Sequence, residues 1–259
     1  MSPEMPSPET FYAFLLVGAR TGGLLTASPV VGNQTVPKQV LAGFALMLSL
    51  AITPIAARTV VHLPSSLLEL GFNVLVNGVV GIIIGFATRL LLTAVNMAGY
   101  FIDTQIGFGF ANLINPFANE QSSILSTFQY QLALTLFMLM NGPLYMIATL
   151  VRSFKDIPLN GNMHLVLNGM AAVPMMSIMM VMCIRLALPV FAVLSMCDLA
   201  FGLIARMAPQ LNVYIVGMPA KVIIGLTTMA LMLPVLALVV GQIITGTNNG
   251  LSAVFGGSG

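Results

Sequence analysis

The chain is divided by long stretches without a single charged side chain, and these stretches limit its possible folds more than any motif does. They are Thr21–Pro37, Gln39–Ala57, Leu70–Thr88, Leu90–Ile102, Gln121–Val151, Ile157–Ile184 and Val222–Gly259. A soluble domain carries about 25% charged residues; here 6% of the residues are charged and 58% are hydrophobic. A surface with so few charges does not suit water as its main solvent. A mean hydropathy of +1.00 agrees. The sequence therefore reads as a membrane protein, or as a subunit covered on most sides by partners.

The net charge is +2. The Lys and Arg residues are scattered singly, so no basic block could follow a phosphate backbone, and no nucleic acid is expected. Cys183 and Cys197 lie about four turns apart on one expected helix, too far for a disulfide, and read as small core residues. Their neighbourhood lacks metal-ligand spacing. The segment "MSPEMPSPET" lacks the positive n-region of a cleaved signal peptide. No GxSxG, HExxH or phosphate loop occurs, and neither an enzyme nor a cofactor is expected. His62 and His164 sit in polar connections and read as surface residues.

Turn signals cut the apolar runs into six or seven helical segments, so an all-α fold of membrane-associated helical hairpins is expected. The first runs from about Thr10 to Ala27. Pro37 suits a first helical position, and a second helix runs to about Ala57. Ser65 or Ser66 is an N-cap for a third segment, Leu67 to Ile102. At about 1.5 Å per residue this one exceeds a bilayer core of about 30 Å, so it either breaks near Gly78–Gly85 or is not a simple span. A fourth runs from Ser122 to about Val151. Two more occupy Leu165–Ala205 and Val213–Ile244. Pro174, Pro189, Pro219 and Pro234 fall within or beside these last runs, as membrane helices tolerate. The third and fourth segments suggest a hairpin around the stretch between them.

Six ionisable residues lie where lipid penalises them: Arg20, Arg89, Asp103, Arg185, Asp198 and Arg206. Each costs roughly 2.5–3.5 kcal/mol at a lipid-facing helix centre. They must pair, reach an interface or line a polar space. Asp198 and Arg206 are two turns apart on one face. Two isolated aspartates, Asp103 and Asp198, are thin material for a proton relay. Glu69 and Glu120 open helical segments, where carboxylates are favoured. Basic residues sit in nearly every short connection (Lys38, Arg58, Arg152 with Lys155, Arg206), against the alternation of a simple multi-pass topology.

The stretch "QIGFGFANLINPFANEQ", Gln105–Gln121, is too apolar for a solvated loop and too rich in glycine and asparagine for a helix. Gly107 and Gly109 permit positive-φ turns. Phe108, Phe110 and Phe117 offer bulk. Asn112, Asn115 and Asn119 can satisfy backbone groups that have left helical pairing, and Pro116 breaks any helix. Such backbone is tolerated at membrane depth only where protein buries it or it lines a cavity. Its residues alone leave open a re-entrant hairpin tip and a plug.

The C-terminal third, with "ALPVFAVLSMCDLAFGLIARMAPQLNVYIVGMPAKVIIGL" from Ala187 to Leu226, resembles the FliR family, the R-type subunit of the flagellar protein export gate. The core of the likeness is "RMAPQLNVYIVGMPAKV", with Arg206, Pro209, Gln210, Leu211, Asn212, Gly217 and Pro219. It continues through the early Arg20, the Pro29–Gly32 turn and the Pro37-Lys38 pair. The Ala98-Gly99 pair, the Asn141-Gly142 step and the Ser153-Phe154…Pro158 closure extend it. Pro143, where relatives often carry His, and the missing soluble extension are departures.

The resemblance implies one export-gate domain, 1–259, packed in a hetero-oligomeric helical assembly with P-type and Q-type (FliP-like, FliQ-like) subunits and an FlhB-like subunit. It implies a channel for unfolded secreted flagellar proteins, in the bacterial inner membrane at the flagellar basal body, raised toward the periplasmic side. It also implies that residues 103–121 form an internal plug loop carried by Gly107, Phe108, Gly109, Phe110, Asn112, Asn115, Pro116 and Phe117. Arg206, Pro209, Gln210, Asn212, Gly217 and Pro219 would serve assembly. The alternatives are an R-like subunit of a virulence injectisome gate and a stand-alone secondary transporter. The latter would show inverted repeats and deep acidic sites.

Overall fold

A computed structural model describes residues 7–30, 37–56, 63–108, 123–160, 172–210 and 212–255. The described residues form eight helices and no strand: α1 (Pro8–Ala27), α2 (Lys38–Ala56), α3 (Leu67–Ile106), α4 (Ile124–Leu139), α5 (Gly142–Asp156), α6 (Ala172–Met207), α7 (Val213–Leu231) and α8 (Leu233–Phe255). The protein is an all-α membrane protein. Lys38–Ala56, Leu67–Ile106, Met175–Met207 and Val213–Leu231 are each long and apolar enough to cross a bilayer.

The helix starts follow capping chemistry. At α1 the Ser7 Oγ accepts from the Thr10 N–H at 3.3 Å, with Pro8 in the first turn, where its missing N–H is harmless. At α2 the Pro37 carbonyl accepts from Val40 and Leu41, so Pro37 precedes the first helical residue rather than being it. At α3 the Ser66 Oγ accepts from the Glu69 N–H at 3.2 Å. The Glu69 carboxylate reaches back to the Ser65 N–H at 2.8 Å. The two serines share the cap, and Glu69 has the helix-start role expected of it.

Of the two readings of the third segment, a break near Gly78–Gly85 is excluded: α3 is continuous over 40 residues. Three expectations need correction. Helix α3 also carries Asp103–Ile106, so the first four residues of the expected 103–121 loop are helical. The fourth segment is two helices, separated at Asn141, which adopts a left-handed φ of 60° just before Gly142-Pro143. The last segment is also divided, at Met232, one residue before α8 opens with Leu233-Pro234. In both places a proline lacks the N–H that the preceding turn requires.

Two compact units share the chain, which first passes from one to the other inside α3, after Leu90. The first holds α1, α2, the first part of α3 and α5. Helix α1 buries a stripe of Ala13, Leu16, Val17, Arg20, Leu24 and Leu25, spaced three and four apart. Backbones approach closely on α3, where a Cβ on Gly81 would overlap the Arg20 carbonyl and one on Gly85 would meet the Leu24 carbonyl. Gly23 on α1 lies equally close to the Gly78 carbonyl. Small residues at such spacing let membrane helices pack backbone to backbone. The glycines at 78, 81 and 85 thus form a contact surface, not a hinge.

Arg20 lies at the centre of this unit and is fully buried. Its Nε and Nη2 donate to Asn77 Oδ1 at 3.0 and 2.6 Å. Its Nη1 donates to the Ser153 carbonyl at 3.0 Å, to Ser153 Oγ at 3.2 Å and to the Ile157 carbonyl at 3.1 Å. The guanidinium stacks 4.4 Å from the centre of the Phe154 ring. Those carbonyls belong to the end of α5, where orphan acceptors and the helix dipole favour a cation. Asn77 also donates to the Leu159 carbonyl at 2.9 Å, and Asn73 donates to the Tyr12 hydroxyl at 2.8 Å. The arginine is thus held by neutral acceptors, and it pins α1, α3 and the exit of α5 together.

Candidate functional site

The second unit contains Leu91–Phe137 and Met176–Gln242. Its core gathers Ile102 and Ile106 of α3, Leu125 of α4, Val190 and Leu194 of α6, and Met229 of α7. Gly99 sits so close to α4 that a Cβ there would lie 2.6 Å from the Ser126 Cα. The end of α3 and the start of α4 therefore pack together, as a hairpin around residues 107–123 requires. Gly225 makes room for the Ile106 side chain, whose Cδ1 lies 2.5 Å from where its Cβ would be.

Beside this core is a cleft of about 330 Å³, between the last turn of α3 and the helices α6 and α7. Thr104, Gln105 and Gly107 form one wall, and Asp198, Phe201, Tyr214, Gly217, Met218 and Lys221 form others. Its polar feature is a three-residue chain. Lys221 Nζ donates to Asp198 Oδ1 at 2.8 Å and to Oδ2 at 3.0 Å. Gln105 Nε2 donates to the same Oδ2 at 3.2 Å. The Lys221 side chain is 17% exposed and that of Asp198 is 47% exposed. One carboxylate thus joins α3, α6 and α7.

The predicted residues divide sharply. Gly107 has φ = 103°, a backbone conformation that favours glycine. Its N–H still bonds to the Asp103 carbonyl at 3.1 Å, so the helix ends with this turn. Phe108 is half-buried and packs against the Ile102–Ile106 core. Gly109, Phe110, Asn112, Asn115, Pro116, Phe117 and Asn119 lie outside the described residues, as do Glu120, Arg58, His62, His164 and Leu211.

Of the remaining set, Gly217 is buried against the Phe201 ring, 3.4 Å from where its Cβ would be. Its close contact lies within this chain. Pro219 is inside α7. Asn212 precedes α7 without a side-chain capping bond. Arg206 occupies the last turn of α6, where the dipole favours a cation, and it is exposed together with Pro209, Gln210 and Asn212.

Asp198 does not use Arg206, although α6 runs unbroken through Gly202; its cation is Lys221 on the neighbouring helix. Lys221 was missed as a charge within an apolar run, and its place in the middle of Val213–Leu231 was the available signal. Arg185 donates to Gln242 Oε1 at 3.5 Å. Asp103 is buried, and its Oδ1 has no hydrogen-bond partner among the described residues. Cys183 is buried and Cys197 half-buried on α6, and neither forms a disulfide. Among the described residues no cluster of three or more His, Cys, Asp or Glu is placed to hold a metal ion.

Residues 11–247 match the family model of the bacterial export proteins, family 1. The chain is 33% identical to the flagellar biosynthetic protein FliR of Escherichia coli over 84% of its own length and 83% of the relative's. It is 32% identical to the FliR of Caulobacter vibrioides, over 88% and 91% of the two chains. With the FliR of Bacillus subtilis it shares 30% identity over 92% and 93%. The chain belongs to the FliR family of bacterial export proteins. It is an integral membrane component of the flagellar export apparatus. The match runs through both compact units and includes every residue of the cleft.

Proposed function

We propose that the protein is a core subunit of the flagellar type III export gate. In this reading it assembles with P-type, Q-type and FlhB-like subunits and lines part of the channel for unfolded flagellar proteins. The stretch from Gly107 to Gln121 serves as a plug across that channel. The observation that carries the reading is the family match over almost the whole chain.

Local chemistry supports the plug. Its first residue turns at positive φ, and its second is anchored by an aromatic ring in the core. The exposed apolar surface of α6 and α7, including Leu199, Leu203, Met207, Tyr214, Ile215 and Val216, supports extensive burial by neighbours. The exposed Arg206, Pro209, Gln210 and Asn212 at the connection between these helices suit contacts with other subunits. We place the assembled gate at the basal body, raised toward the periplasmic side.

The test is to shorten Gly107–Asn115 in cells carrying the whole export apparatus and to measure potassium efflux. The reading expects normal assembly with increased efflux. Unchanged efflux with the complex intact would remove the plug.

A further inference from the structure

We propose that an exposed seam of α6 packs against a helix of a neighbouring subunit, and that Arg185 selects that helix by binding a carboxylate on it. The proposal rests on the reading of this chain as one subunit of a larger assembly.

Helix α6 has two faces. One enters the core of its unit through Val190 and Leu194. The other is exposed and carries Val181, Arg185, Leu188, Ala192, Met196 and Leu199. These residues recur at spacings of three and four, so they form one stripe along the helix. Such a stripe is the seam by which one helix packs on another. All of its members are apolar except Arg185.

Arg185 is poorly served within its own chain. The sequence is free of charge from Ile157 to Ile184 and again from Leu186 to Cys197. Asp198 is committed to Lys221 and Gln105. Among the described residues Arg185 has no carboxylate partner. Its hydrogen bond to Gln242 Oε1 is 3.5 Å long, at the outer limit for such a bond. A guanidinium carries five donors, and one long bond to a neutral amide leaves most of that capacity unused.

The chemistry of the partner follows from depth. The apolar span of this helix is Met175–Met207, and Arg185 lies ten residues inside its nearer end. At the rise of an α-helix that is about 15 Å. It is half of a hydrocarbon core of about 30 Å, and the lipid phosphates lie outside that core. A charge facing lipid at such depth is strongly disfavoured. A carboxylate on a neighbouring helix removes the penalty, and the planar guanidinium can hold it by two parallel bonds. A single polar residue in an apolar seam also fixes register and partner, because any other alignment strands the charge. The apolar positions supply contact area, and Arg185 supplies the choice.

The experiment uses the tagged full-length chain in cells carrying the complete apparatus. Recovery of co-purifying subunits in mild detergent is measured together with the amount and thermal unfolding of the tagged chain. R185E reverses the charge, R185M keeps bulk without charge, and A192L crowds the seam two turns away. In an otherwise wild-type chain, a photo-crosslinking amino acid replaces Leu188, and the attached peptide is identified by mass spectrometry.

The proposal expects R185E to lower subunit recovery about tenfold, with R185M and A192L intermediate. The amount and unfolding temperature of the tagged chain should hold. The peptide attached at Leu188 should belong to a neighbouring subunit and carry an Asp or Glu near the attachment point. Replacing that residue by Lys should restore recovery in R185E. Wild-type recovery in R185E would overturn the proposal. Attachment to lipid alone would overturn it too, making a phosphate headgroup the partner of Arg185, as would attachment to a peptide without a carboxylate. A matching loss of thermal stability in the R185E chain itself would make Arg185 fold support and overturn it as well. Absence of every other subunit from the wild-type preparation would remove the assembly and the proposal with it, whereas a wild-type complex that tolerates R185E would remove the proposal alone.

Discussion

Gly81 of α3 lies so close to the carbonyl oxygen of Arg20 on α1 that a methyl group on the glycine would overlap it. The obstacle is backbone, which can move only by separating the two helices. Gly81→Ala is therefore expected to lower the stability of the first unit by about 1–3 kcal/mol, the usual range for overpacking. Gly225→Ala meets side-chain atoms instead, the Cδ1 and Cγ1 of Ile106 at 2.5 and 2.7 Å, which can shift more readily than backbone, and is expected to cost less. Thermal unfolding of the two variants in one detergent checks the order; equal losses would contradict it.

Arg20→Met keeps the bulk of the side chain and removes its donors. Asn77 Oδ1 and the carbonyls of Ser153 and Ile157 then lose a partner in a buried site. An orphaned buried acceptor costs about 1–3 kcal/mol. Arg20→Lys is expected to recover only part of this, because one ammonium cannot reproduce the planar fork that serves Asn77 and the α5 terminus together. Folded yield in detergent, wild type above Lys above Met, is the expected order, and wild-type yield for Met would refute it.

Gly107→Ala places a Cβ on backbone at φ = 103°. Strained conformations of this kind cost of order 1–3 kcal/mol. The turn is expected to rearrange locally while α3 remains helical. Circular dichroism should therefore hardly change, while potassium efflux rises. Unchanged efflux would mean that the turn does not set the course of the chain beyond it.

Much of the fold was legible from where the charges are missing. The charge-free runs located the helices because lipid and partner surfaces both exclude charge, and the cap at Ser66 followed from short-range hydrogen bonding. The errors came from residues whose meaning depends on what lies opposite them. Gly78, Gly81 and Gly85 looked like weak points in a long helix, but α1 packs on them, and tertiary contact outweighs the propensity cost. Asn141-Gly142-Pro143 did carry a local break signal, hidden by the hydropathy on either side.

The site was legible only in part. Gly107 behaves as glycine before an irregular stretch should, and the family motif located the α6–α7 connection. Lys221 could not be paired with Asp198 by periodicity, because the two are on different helices and only packing brings them together. The same holds for Gly217, whose close neighbour proves to be Phe201 of this chain.

The central claim is that this chain works as one subunit of a multi-protein export gate. The most direct test is to purify the tagged full-length protein in mild detergent and identify by mass spectrometry what accompanies it. The account predicts P-type and Q-type export subunits in constant proportion to the tagged chain. A protein that is stable and solitary across several detergents would contradict it.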